Sequence, residues 1–176
     1  SSTLNNLAGL YLTNKQLEPA KKYILEAIEI ERPLNDPTIL AVRLGMASEI
    51  FLQLGYPEKA LDYASEAYDL NSNNGRRDKA AIRQSQMAAA YIALERFDDA
   101  NTILLEAVPV LDSCGNINSL SICYSQLGEI ALQNDQYDNA AKYFTDVISL
   151  CEKTGNQYIE NRAQHGASKA LQYSNP

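Results

Sequence analysis

The chain has 176 residues, of which 45% are apolar, and a net charge of −7 with 22 acidic against 15 basic side chains. That apolar share is enough to bury a continuous core, while the acidity opposes binding to a phosphate backbone, which argues against nucleic acid as a ligand. The longest apolar run, residues 87–94 (MAAAYIAL), is far shorter than the ~20 residues a membrane span needs, so no membrane partner is expected.

In chain order, the first unit covers about residues 1–36. It reads as a helix carrying Ala8 and Tyr11, a polar turn near Asn14, and a second helix, QLEPAKKYILEAIEI, closed by Asn35. Asp36-Pro37 opens the next unit, about 37–76, with Ser48 and Phe51 in its first helix, a turn at Gly55, and Ala60, Ala64 and Ala67 in its second, before Gly75. The third, about 77–116, repeats the pattern with Ala88 and Tyr91, then Ala100, Leu104 and Ala107, then Gly115. Pro109, one turn before the end of that second helix, is expected to kink or shorten it. The fourth, about 117–156, has Gly128 and Ala131, a turn at Asn134-Asp135-Gln136, then Ala140, Phe144 and Val147, and closes at Gly155. A partial fifth unit, 157–176, supplies Ser168 and Leu171 in the register of Ala8 and Tyr11.

The register slips nowhere: Ala20, Ala60, Ala100 and Ala140 stand forty apart, as do Asn35, Gly75, Gly115 and Gly155. Small residues one and two turns apart let a neighbouring helix approach closely. A Gly or Asn just past a helix end fits a left-handed cap. Each unit is therefore expected to be an antiparallel helix pair, and no period-two alternation suggests a strand.

These residues resemble the tetratricopeptide repeat (TPR), whose helix–turn–helix pattern runs W-x2-L-G-x2-Y, then A-x3-F and a late Pro. Tyr124, Leu127, Gly128, Ala140 and Phe144 match it best, and Leu4, Leu7, Ala8, Tyr11, Ala20, Ile24 and Ala27 follow it in the first unit. The chain departs from it in three ways. Gln84 and Gln164 stand where the Trp would be, Arg32, Ser72, Asp112 and Glu152 replace the late Pro, and the period is forty instead of about 34. Longer units of this kind look like those of bacterial regulatory and peptide-sensing proteins. The resemblance implies an all-α, right-handed α-solenoid of about four and a half repeats and about nine helices, forming a single domain over 1–176. Ser1 falls inside a long first helix and Pro176 at a turn, so the reading is of an excerpt from a larger cytoplasmic protein, or of a chain whose flanking residues are disordered.

No catalytic constellation is legible. The only histidine is His165, and Cys114, Cys123 and Cys151, odd in number and without CxxC spacing, read as reduced thiols. The acid pairs Asp98-Asp99 and Asp135/Asp138 open second helices, where they complement the helix dipole. A non-enzymatic interaction module without cofactor or metal is expected.

By the resemblance, the first helices line a concave groove for a protein or peptide segment. Its side chains would be Asn5 and Asn6 in the first unit, and Val42, Gly45, Glu49 and Gln53 in the second. Ile82, Ser85, Gln86 and Ala89 would follow in the third, and Ile122, Ser125, Gln126, Glu129 and Gln133 in the fourth. Ser85-Gln86 recurs as Ser125-Gln126, and such side chains can bond the backbone of an extended peptide. The positions that carry Lys, Arg and Asn in chaperone-binding TPR domains hold Asn5, Gly9, Met46, Ile82 and Gln86, so a near-neutral groove is expected. Self-association into a homodimer through the acid-rich outer face or an open end is the alternative.

Overall fold

The computed structural model describes residues 2–174; Ser1 and Pro176 lie outside them, as does the side chain of Tyr158. Among the described residues the secondary structure is nine α-helices and one short 3-10 turn, with no strand. Helix α1 spans Ser2–Thr13, α2 Leu17–Glu31, α3 Pro37–Gln53, α4 Pro57–Asn73 and α5 Arg77–Ala93, with the 3-10 turn over Arg32–Leu34. Helix α6 spans Phe97–Ser113, α7 Ile117–Gln133, α8 Tyr137–Thr154 and α9 Gln157–Ser174. The chain divides into two compact units, one ending at Arg96 and one beginning at Phe97.

The helix ends follow from local chemistry. Asp36 accepts hydrogen bonds from the backbone N–H of Thr38 and Ile39 at 3.0 and 3.1 Å, with Pro37 in the first turn of α3 where its missing N–H costs nothing. Asn116 caps α7 in the same way through the Ser119 N–H at 3.2 Å. The expected left-handed closures are all present, at Asn35 (φ 53°), Gly75 (68°), Gly115 (65°) and Gly155 (69°). The turns inside each pair adopt a left-handed residue too, at Lys15, Gly55, Glu95 and Asp135, again forty apart. After each of these the next N–H bonds back five residues, for example Gln16 to the Tyr11 carbonyl at 2.8 Å and Arg96 to that of Tyr91 at 2.9 Å, which ties up otherwise orphaned carbonyls. Gly55 and, within Asn134-Asp135-Gln136, Asp135 were marked as turns by the sequence, whereas Lys15 and Glu95 carry no such signal.

In the first unit α1 packs on α2, α2 on α3, α3 on α4 and α4 on α5. Ala8, Ala20, Ile24, Leu44, Ala47, Ile50 and Ala60 are fully buried there. Stacked rings recur along this unit: Tyr11 on Tyr23 at 5.4 Å between centroids, and Phe51 on Tyr63 at 5.2 Å. In the second unit α6 packs on α7, α7 on α8 and α8 on α9. Ala140, Phe144, Val147, Cys151, Ala163 and Ala170 form its core.

Two expectations change. Helix α6 is not shortened at Pro109 but runs its full length, because the proline lies on the exposed face and solvent can reach the carbonyl that its missing N–H leaves free. Ser168 and Leu171 are exposed, Leu171 by 57%. Their register faces the second helix of its own pair, and among the described residues no helix follows α9. Helix α9 is instead anchored through Ala163, Gly166 and Ala170, which face α8.

Candidate interaction surface

In the first unit α1 and α3 bring three of the sequence-predicted groove residues together. Asn5, Asn6 and Val42 line a cavity of about 270 Å3 with Ser2, Thr38, Ile39 and Arg43. Val42 and Ile39 expose 48% and 39% of their surface, so the cavity has an aliphatic wall open to solvent. The Asn5 Oδ1 atom is buried and has no hydrogen-bond partner. An acceptor in that state is costly unless something supplies a donor. Arg43 reaches Glu31 of α2, its Nη2 lying 2.9 Å from Oε2 with both side chains almost wholly buried, an ion pair that sequence reasoning missed. Its only signal was two charges in a register that is apolar at Leu111 and Cys123, although the copy between holds Asn71 and Arg83.

Farther along α3, Glu49 and Gln53 are exposed and bonded to one another, Gln53 Nε2 donating to Glu49 Oε1 at 3.4 Å. On α5 the expected peptide-reading groups are occupied internally. Ser85 Oγ donates to the Ile82 carbonyl at 2.8 Å, while Gln86 Nε2 donates to the Gly45 carbonyl at 3.1 Å. Gln86 Oε1 in turn accepts from Arg83 Nη1 at 2.6 Å. Ala89 is half-buried beside them. Gln86 therefore positions an arginine and fastens α5 to α3.

In the second unit Ile122 is 42% exposed, Ser125 is half-buried and Gln126 is buried, while Gln133 lies in solvent. Glu129 accepts from Arg162 Nη2 of α9 at 2.7 Å. Together with Leu132, Phe144, His165 and Lys169 these two line a cavity of about 460 Å3. The cationic side chains of α9 lay in the partial fifth unit and were not singled out from sequence.

The three thiols are free, with Cys114 exposed and the other two buried. Burial pushes the Cys123 thiol up to about 12. Among the described residues no group of three or more His, Cys, Asp or Glu could hold a metal ion, and no helix is long and apolar enough to cross a membrane.

Helix pairs that bury small residues between them, with polar side chains along the first helices, define a TPR-like, all-α helical-repeat solenoid. The chain belongs to the SNAP family, whose model, described as soluble NSF attachment protein, matches residues 3–161. Solved structures share the fold at low identity. A Podosopora anserina putative kinesin light chain with nearly identical TPR-like repeats is 17% identical, covers 98% of this chain and 85% of its own, and superposes with a TM-score of 0.78. Aspartyl phosphate phosphatase F from Bacillus subtilis is 18% identical, with 96% of this chain and 44% of that one covered, at a TM-score of 0.84. A Rap protein complexed with competence and sporulation factor is 16% identical over 97% of this chain and 50% of that one, at 0.83. No curated protein matches the chain in sequence.

Proposed function

We propose that the chain is a protein-binding scaffold that holds an extended segment of a partner along the first helices and performs no chemistry of its own. The observation that carries this reading is the buried, unpartnered Asn5 Oδ1 in a solvent-open cavity walled by Val42 and Ile39. A backbone N–H from an extended segment would satisfy that oxygen, Asn6 could bond the same backbone, and the aliphatic wall would take a side chain. Two fold neighbours support it: the Rap protein was solved with competence and sporulation factor bound, and an archaeal STAND protein is described as carrying a tetratricopeptide repeat sensor. The family description, an attachment protein, agrees with a partner-holding role. The finer reading is a single solenoid domain serving as the scaffold or sensor segment of a cytoplasmic, bacterial regulatory protein.

The test is to select peptides that bind the purified chain from a random display library and measure their affinities by calorimetry. Asn5→Ala should weaken binding about five- to tenfold, the worth of one net hydrogen bond, with the denaturation midpoint unchanged or slightly raised. Selected peptides that ignore both Asn5→Ala and Val42→Asp would show that the cavity is not the site. Self-association is the second reading, and a concentration-dependent dimer in sedimentation velocity, broken by changes on the acidic outer face of α4, would favour it.

A further inference from the structure

Arg43 and Arg83 stand forty residues apart, and so do Glu31 and Asn71. In the first of these two registers the arginine is neutralised by a buried carboxylate 2.9 Å away. In the second the arginine is retained but the acid is replaced by Asn71, whose buried amide turns back on its own helix, Nδ2 donating to the Ala67 carbonyl at 2.8 Å. Arg83 thus keeps the charge and loses the counter-charge.

Its guanidinium lies against α3. Nη1 donates to Gln86 Oε1 at 2.6 Å, and Gln86 is itself tied to the Gly45 carbonyl at 3.1 Å. A Cβ on Gly45 would fall 1.7 Å from Nη1, so glycine is what leaves room for the group there. The Nε atom is buried without a hydrogen-bond partner. No carboxylate among the described residues pairs with Arg83, although the chain as a whole carries seven more acids than bases. Burial lowers its pKa with no neighbouring acid to raise it, whereas Arg32, bonded to Glu66, is raised. A half-buried guanidinium, held in place and left unneutralised, is poised for an external anion, because its fork geometry matches a carboxylate and part of its desolvation has already been met in the fold.

We propose that Arg83, fixed by Gln86 and Gly45, is a carboxylate-binding point on the α3–α5 face, taking an acidic side chain or the C-terminal carboxylate of a bound protein segment. This rests on the scaffold reading for its occupant, not for its chemistry.

The experiment uses small probes, so it does not depend on the asparagine cavity. The Arg83 Nε–Hε resonance would be followed by NMR while N-acetylglutamate α-methylamide, presenting a side-chain carboxylate, or N-acetylalanine, presenting a terminal one, is added. A saturable shift with millimolar affinity is expected for at least one, the affinity ratio naming the source, and none for N-acetylglutamine methylamide. Asn71→Glu, which restores an acid in the register of Glu31, should raise the melting temperature and weaken the probe's binding at least tenfold. Gln86→Leu, which removes the positioning bond, should weaken it as well. Absence of a saturable shift for both carboxylates at about 50 mM overturns the proposal, and so does an equal response to the glutamine analogue or in Asn71→Glu. A positive titration together with insensitivity of selected peptides to Asn5→Ala would retain this site and discard the cavity.

Discussion

Arg43 Nη2 meets Glu31 Oε2 at 2.9 Å, joining the middle of α3 to the end of α2, with 3% and 2% of the two side chains exposed. Two charges withdrawn this far from water depend on one another, because each is tolerated only while its partner offsets the desolvation. Glu31→Gln should therefore destabilise by about 3 kcal/mol or more, read as a lower urea midpoint at constant slope. The double change Glu31→Leu with Arg43→Cys installs the residues buried two periods further on in the same register, Leu111 and Cys123, and should recover most of the loss. If the single change costs no more than a surface substitution, the pair is solvated in solution.

Phe144 of α8 is seated between two glycines. A Cβ added at Gly128 of α7 would lie 2.8 Å from its ring, and one at Gly166 of α9 would lie 2.6 Å away. Alanine ordinarily stabilises a helix interior relative to glycine, yet Gly128→Ala and Gly166→Ala should each cost about 1–3 kcal/mol here, since the ring is 3% exposed and is closed in from both sides. Adding Phe144→Leu to either variant should return part of that stability. Thermal melts of the four proteins decide it; alanine variants as stable as the parent would show that the ring moves freely.

Glu95 turns the chain with φ 58° where the second copy has Gly55 at 81°. A side chain in the left-handed region carries a steric penalty that glycine avoids, partly offset by glycine's greater freedom in the unfolded chain. Glu95→Gly should raise stability by about 0.5–1 kcal/mol, and Gly55→Ala should lower it by a similar amount. Opposite signs in a denaturant titration are the expected result. The same sign for both would mean that the turns do not share a conformation.

Alkylation should separate the cysteines. Cys114 is exposed and should react with iodoacetamide at pH 8, while Cys123 and Cys151 are buried, with burial raising both thiols. Mass spectrometry of the native protein should find one label, and of the urea-unfolded protein three. Linkage gives a sign for pH as well. Between the ordinary thiol value near 9 and about 12, the unfolded chain releases a proton that folded Cys123 keeps, so stability should fall as pH rises through that window. Cys123→Ala should flatten the slope.

The helix pairs, their forty-residue register and the left-handed closures at Asn35, Gly75, Gly115 and Gly155 were legible in the sequence. Each of these depends on local periodicity or on the backbone freedom of one residue type, and both are written in the order of residues. The alanines forty apart are all fully buried for the same reason: a close helix crossing admits little else. Of the groove, only the gathering of Asn5, Asn6 and Val42 followed from position on a helix face. The roles of Gln86 and Arg83 did not. Whether a polar side chain faces a ligand or bonds the neighbouring helix depends on which backbone carbonyl and which empty space lie opposite, here the Gly45 carbonyl and the gap left by its missing Cβ. Those neighbours lie some forty residues away in sequence, and only packing brings them together. The pairing of Arg43 with Glu31, and the lack of such a partner for Arg83, were decided in the same way, because an ion pair is a property of two positions in space and not of either residue alone.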